Sequence, residues 1–265
     1  MRAHDLRAEG IVVGYDGREV LHGLDLAVPA GRVTVVVGAN ASGKSTLLRT
    51  LGRLLRPAQG RVILDGADVR TIGPRSFARV VGLLPQQPTA PDGITVEELV
   101  ARGRHPHRGA FAPWRRADQE AVDAALAATG VAELAGRSLD ELSGGQRQRV
   151  WIAMVLAQQT DLLLLDEPTT FLDLTHQLEV LDLVDDLRRE HGMTVVMVLH
   201  DLGLAARYAD HLVVMREGRI VHEGAPAEVL TEEVVREAFA VEARVVPDPE
   251  TGTPLVVPRS RFPRA

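Results

Sequence analysis

Gly38-Ala39-Asn40-Ala41-Ser42-Gly43-Lys44-Ser45-Thr46 follows the apolar run Val33 to Val37 and precedes the helix-like Leu47-Leu48-Arg49-Thr50-Leu51. This is G-x-x-x-x-G-K-[ST] between a strand and a helix, a pattern suited to cradling phosphate. Glycines at both ends let the backbone wrap closely, so that successive N–H groups point inward at the positive end of a helix. Lys44 then supplies a mobile cation for the β and γ phosphates of a nucleotide. Ser45 offers a hydroxyl to Mg²⁺, a hard cation that takes oxygen ligands, and Thr46 is the weaker ligand candidate. The competing reading is a glycine-rich turn that only joins strand to helix. Against it, Lys44 is the only lysine in a chain that otherwise uses arginine, placed where a flexible point charge is wanted.

Composition bounds the rest. With 265 residues and 45% hydrophobic content the chain can bury a full core, as one large domain or as a domain with an inserted lobe. A formal net charge of −6 argues against nucleic-acid binding through a broad basic face, since phosphate neutralisation dominates that interaction. Cysteine is absent, which excludes disulfides and thiolate metal sites. Met1 to Arg7 contains no apolar signal core. No apolar run approaches the roughly 20 residues of a membrane span, so a membrane role is expected through a partner.

Upstream of the loop, Ile11 to Tyr15 and Leu24 to Val28 read as antiparallel strands around the turn-rich Asp16-Gly17-Arg18. The Tyr15 ring either stacks on a nucleotide base or is an ordinary half-buried strand aromatic. Downstream, Arg61 to Gly66 reads as a strand entering a turn, and Val80 to Pro85 as a strand that delivers Gln86 at its exit. There Gln86 can ligate Mg²⁺, orient a water or be a plain loop residue. Val96 to Arg102 and Arg116 to Leu126 have helical spacing with acidic first turns, a helical insertion. His105 and His107 lie in the linker between them; metal binding is one reading, but without a carboxylate or thiol cluster nearby an exposed loop or docking surface is the stronger one.

Leu142-Ser143-Gly144-Gly145-Gln146 runs straight into a helical stretch. Ser143 is a natural N-cap and the glycines permit close approach to that helix end, implying a second anion site. Leu162-Leu163-Leu164-Leu165-Asp166-Glu167 has the character of a buried parallel strand whose carboxyl end reaches a ligand. Taken as adjacent strand residues, the two acids point to opposite sides. Asp166 is then the Mg²⁺-shell residue and Glu167 the base that polarises water for attack on the γ phosphate. Thr194 to Leu199 repeats the arrangement and brings His200 to the same edge, to hold the γ phosphate or to cap the next helix. Arg219 to Gly224 reads as a terminal strand. The remainder, with Pro247, Pro249, Pro254, Pro258 and Pro263, reads as a short strand pair with a loose end instead of regular helix.

Taken together, these residues resemble the nucleotide-binding subunit of an ATP-binding cassette (ABC) transporter over nearly the whole chain. Gly38 to Ser45, including Asn40 and Ser42, match its phosphate loop; Gln86 its Q-loop; Leu142 to Gln146 its signature; Leu162 to Glu167 its acidic strand; Phe171-Leu172-Asp173 its D-loop; His200 its switch histidine; Tyr15 its base-stacking aromatic. Leu83 to Gln86, Thr95 to Val100 with Gly103 to His107, and Leu199 to Leu202 look like ATPases of iron(III)-siderophore importers, related to those for haem and cobalamin. Ala39 and Ala41 depart from the family loop; Ala39 adds a backbone donor, and Ala41 is unstrained only at negative φ.

The resemblance implies an α/β fold: a P-loop NTPase core of ABC type with an antiparallel β subdomain and an inserted α-helical subdomain. The ATPase domain would span 1–235, with the insertion at about 90–160, and a proline-rich extension 236–265. ATP and Mg²⁺ are the implied cofactors. The implied working form is a head-to-tail homodimer with ATP at the interface, held by Lys44 of one subunit and by Ser143, Gly145 and Gln146 of the other, with Gly144 and Asp173 as further implied nucleotide-binding residues. It would sit peripherally on the cytoplasmic face of the membrane, gripping permease subunits served by an extracytoplasmic substrate-binding protein, with no nucleic acid involved. Cargo alternatives are haem, cobalamin or a metal ion; the remaining alternatives are a soluble ABC ATPase without a transport role and a nucleotide-binding regulatory module without hydrolysis, against which Glu167 and His200 weigh.

Overall fold

The computed structural model describes residues 3–109, 112–170 and 172–259; Met1, Arg2, Phe171 and Pro263 of the sequence reading lie outside them. The chain forms two compact units. A loop unit comprises Asp5–Val69 with Val196–Ala265, and a helical unit comprises Met1–His4 with Arg70–Val195.

The loop unit opens with β1 (Leu6–Tyr15) and β2 (Arg18–Val28), an antiparallel hairpin. Asp16 and Gly17 have φ of 49° and 82°, the two positive values of a type I′ turn whose twist matches the strands it joins. Both strands run longer than their apolar stretches announce. In β1 the register shifts between Ala8 and Ile11, and Gly10 donates its N–H to Asp25 Oδ1 at 2.7 Å. Such a bulge interrupts the period of two on which the sequence reading relied. Next come β3 (Val33–Gly38), α1 (Lys44–Leu51), β4 (Gln59–Leu64) and the short β5 (Ala67–Asp68). The antiparallel sheet has the order β2-β1-β4-β5, as expected ahead of the phosphate loop.

The helical unit contains α2 (Pro74–Ala78), β6 (Val81–Leu84), α3 (Val96–Ala101), α4 (Arg116–Ala128), α5 (Gly144–Ala157), β7 (Leu162–Asp166) and α6 (Leu174–His191). Strands β6 and β7 pair in parallel, with Leu84 opposite Leu165. All five residues of β7 are buried, the signature of a strand covered on both faces. Each such Leu contributes roughly 1.5–3 kcal/mol by leaving water. Helix α3 starts at a full capping box between Thr95 and Glu98. Strand β8 (Thr194–Val198) begins in the helical unit and ends in the loop unit.

The loop unit continues with α7 (Leu202–Tyr208), β9 (His211–Arg216), β10 (Arg219–Gly224), α8 (Pro226–Val229), α9 (Glu232–Phe239), β11 (Ala243–Pro247) and β12 (Pro254–Pro258). β3 lies parallel to β9, which pairs antiparallel with β10. The terminal strand pair is present as the β11–β12 hairpin, but α8 and α9 correct the expectation of no regular helix after Gly224. Pro226 opens α8 at its first position, where the missing N–H costs no helical bond, the prolines weighed in the sequence begin at Pro247, and Thr231 caps α9 by accepting from Val234 N. Strand β9 was announced by the apolar Leu212 to Met215, and α6 by its polar-apolar alternation in threes and fours; the motif reading passed over both.

Candidate active site

In the loop unit, β3 and α1 present the phosphate loop between them. Gly38 is buried against β9: a Cβ there would collide with the Met215 carbonyl oxygen and come within 2.7 Å of Ser42 Oγ. Gly43, at φ 100°, precedes Lys44, and its Cβ would press on Leu21 Cδ2 at 2.8 Å. Only glycine fits this cradle. Lys44 Nζ is folded back over the loop, donating to the carbonyl oxygens of Gly38 and Ala39 at 2.9 Å each, and the side chain is only 5% exposed. Ser42 Oγ is buried and has no hydrogen-bond partner among the described residues. A buried ammonium and a buried hydroxyl at a helix N-terminus are the donors that a phosphate satisfies, so the residues fit a nucleotide. Ser45, half-buried, and the buried Thr46 follow in the first turn of α1, while Ala39, Asn40 and Ala41 form the exposed crest.

Ala41 has φ of 62°. The condition for an unstrained alanine is therefore not met, because a Cβ in the left-handed region crowds the following carbonyl oxygen at a cost of about 1–2 kcal/mol. Tyr15 ends β1 with 42% of its surface exposed, as a base-stacking ring requires. His200 follows β8 and is exposed. The cap of α7 is Asp201, which accepts from Leu204 N at 2.8 Å, so the helix-capping alternative for His200 is set aside.

In the helical unit, the paired ends of β6 and β7 bring Gln86 and Asp166 to one sheet edge. Asp166 is 1% exposed and Glu167 is 7% exposed. Glu167 is not a strand residue, which corrects the expectation of two adjacent strand side chains on opposite sides. The strand ends at Asp166, and Glu167 turns into the left-handed region at φ 54°, a conformation rare for a bulky residue and kept where surrounding structure over-determines it. What separates the two acids is this backbone turn, not strand alternation. Thr170 Oγ1 donates to Glu167 Oε2 at 3.0 Å. Among the described residues no group of three or more His, Asp or Glu gathers to hold a metal. Within this unit the side-chain oxygens of Gln86 and Asp166 are hard donors of the kind Mg²⁺ takes, as is the Ser45 hydroxyl within the loop unit.

Ser143 caps α5 as expected. Its Oγ accepts from Gln146 N at 3.2 Å, and its own N–H donates to Gln146 Oε1 at 3.1 Å. Asp173 caps α6: Oδ1 accepts from His176 N at 3.0 Å and from His176 Nδ1 at 2.6 Å. These bonds, the backbone one first, hold the Asp173 carboxyl below its usual pKa. Thr170 and His176 were missed by sequence reasoning, since neither sits in a motif; their only signal is a spacing of three from Glu167 and Asp173.

The linker with His105 and His107 is a tight 3-10 turn, Arg102–His107, not an open loop. Arg104 is buried, donating to Asp118 Oδ1 at 3.2 Å, to the Ala157 carbonyl at 2.7 Å and to Gln159 Oε1 at 2.9 Å. His107 Nε2 lies 2.7 Å from the Gln158 carbonyl oxygen, and burial lowers its pKa. His105 remains on the surface, lining a cavity with Arg75, Pro106 and Arg108.

Residues 21–170 match the family model described as ABC transporter. The chain is 52% identical over 97% of its length, and 94% of the relative's, to the ferric enterobactin transport ATP-binding protein FepC of Escherichia coli. It is 44% identical over 95% of its length, and 94% of the relative's, to the iron(3+)-hydroxamate import ATP-binding protein FhuC of Bacillus subtilis. Among solved structures, it is similar to a chain described as part of a metal-chelate type ABC transporter in an inward-facing conformation, with TM-score 0.84, 29% identity, and 98% and 99% of the two chains covered. It also resembles the dimeric cassette MJ0796, at TM-score 0.75 and 26% identity over 83% and 98% of the chains.

Proposed function

The chain belongs to the ABC transporter family, and on that premise we propose that it is the ATP-hydrolysing subunit of an importer for iron(III)-siderophore complexes. Its fold is the P-loop ABC type, α/β with an antiparallel sheet and helical parts. The single observation that carries the reading is the buried Lys44 ammonium folded over a glycine cradle, in a chain 52% identical over 97% of its length to a ferric enterobactin transport ATP-binding protein.

Each side chain has a role that its chemistry supports. Lys44, the Gly38 to Gly43 backbone, Asn40, Ser42 and Thr46 bind the phosphates, and Tyr15 stacks on the base. Ser45, Gln86 and Asp166 supply oxygens to Mg²⁺, which neutralises phosphate charge when bound. Glu167 takes the proton of the attacking water, Gln86 orients that water, and His200 holds the γ phosphate. In a head-to-tail dimer, Ser143, Gly144, Gly145, Gln146 and Asp173 complete the site of the partner subunit. The ATPase domain spans 1–235 with the helical insertion at about 90–160, followed by the extension 236–265. No helix among the described residues is long and apolar enough to cross a membrane. In this reading the chain attaches at the cytoplasmic face to separate permease subunits that an extracytoplasmic binding protein supplies with cargo.

Affinity purification of the chain from membranes of its own cell, with mass spectrometry of what comes with it, tests the reading. A siderophore-type permease and binding protein are expected. A permease for haem, cobalamin or a free metal ion would overturn the cargo and keep the ATPase; recovery with no membrane protein would overturn the transport role.

A further inference from the structure

His176 does more than help to cap α6. A helix cap requires only the bond from the backbone N–H, yet Asp173 Oδ1 also accepts from the imidazole Nδ1 at 2.6 Å, shorter than the usual range for a charge-assisted N–H···O bond. The same ring edge faces α5. A Cβ built on Gly145 would stand 3.9 Å from both Cγ and Nδ1 of His176, and 3.4 Å from Leu172 Cδ2. The carbonyl of Leu172, one residue before Asp173, is held in turn by Gln177 Nε2 at 2.9 Å. One imidazole thus bonds the carboxylate of Asp173 and stands beside Gly145 at the start of α5, with room for about a methyl group between them.

We propose that His176 is a positioning residue for ATP turnover: its Nδ1–H fixes the Asp173 carboxylate, and its ring stands beside Gly145 at the start of α5. The two segments assigned to the partner subunit's nucleotide then move as one body during dimer closure. This rests on the reading of the chain as an ATPase that works as a closed dimer.

The test compares His176→Leu, which keeps bulk without a donor, with His176→Asn, whose amide nitrogen can take the place of Nδ1. Steady-state ATP turnover is measured for each, along with ATP-induced dimerisation by size exclusion with light scattering in a Glu167→Gln background. His176→Leu is expected to lower kcat about tenfold, the scale of one charge-assisted bond, to weaken the ATP-induced dimer, and to leave KM for ATP within about twofold. His176→Asn is expected to recover most of both losses. A His176→Leu protein with wild-type kcat and dimerisation overturns the proposal, as does an Asn variant no better than Leu. If His176→Leu does not fold, His176→Gln, whose amide sits one bond further out, carries the same expectation. A wild-type protein without ATPase activity would sink the functional reading itself, a result separate from both.

Discussion

Thr170 grips Glu167 twice: its hydroxyl donates to Glu167 Oε2 at 3.0 Å, and its backbone N–H donates to the Glu167 carbonyl oxygen at 3.2 Å. The second bond closes the turn that keeps Glu167 at φ 54°, and the first aims the carboxylate out of it. Thr170→Val, isosteric but without the hydroxyl donor, is expected to lower kcat for ATP about tenfold with KM little changed. Glu167→Gln removes the base itself. It should slow turnover by at least ~10² to 10⁴ while retaining ATP binding and trapping the dimer. Unaltered ATPase activity in Glu167→Gln would remove Glu167 from the role of base.

Ala41 sits in the left-handed region at φ 62° on the exposed crest of the phosphate loop. Ala41→Gly relieves that conformation and is expected to stabilise the protein by about 1 kcal/mol, a rise in melting temperature of about 2–4 °C for a chain of this size. Nucleotide affinity should not weaken, since the backbone N–H is retained. A fall in melting temperature would show that the greater freedom of glycine in the unfolded chain outweighs the relief.

Arg104 and Asp118 form an ion pair with both side chains about 6% exposed. Burial raises the Asp118 carboxyl pKa, but the Arg115 backbone N–H and the Arg104 guanidinium outweigh it, and the net direction is downward. A carboxyl with a lowered folded-state pKa contributes stability that is present above its unfolded value and lost as pH falls through the folded one, here below about pH 4. Breaking the pair by Arg104→Met leaves Asp118 buried without its guanidinium and should destabilise by about 3–5 kcal/mol in denaturant titration. Arg104→Met combined with Asp118→Leu should recover part of that loss.

His107 loses basicity on folding, chiefly through burial, partly offset by its bond to the Gln158 carbonyl. Its neutral form is the folded one, so its contribution is complete above the ordinary imidazole value of about 6.5 and is lost as pH falls from there through the lowered value. Melting temperature should therefore decline between pH 7 and 5. His107→Gln, which cannot titrate but can still donate to Gln158, should flatten that decline; an unchanged slope would assign it to other groups.

The motifs were legible because each is a short run whose chemistry depends on residue type and spacing alone. Gly38 to Thr46 dictates a strand–loop–helix, since only glycine meets the contacts at positions 38 and 43, and Ser143 with Gln146 announces a cap by its spacing of three. Four leucines before Asp166 foretold a strand with no exposed face. What sequence could not supply was backbone conformation and long-range partnership. The sign of φ at Ala41 and Glu167 is set by the turns they occupy, against the intrinsic preference of both residues. Arg104, expected in an open linker, is buried because Asp118 lies 14 residues away and the Ala157 carbonyl 53 away, bonds made only when the helices pack. His176 has no motif to mark it, and only tertiary structure brings its ring beside Gly145 of α5. Local chemistry was determined by the order of residues; strain, burial and partners across the fold were decided by packing, whose contacts join positions that no short window contains.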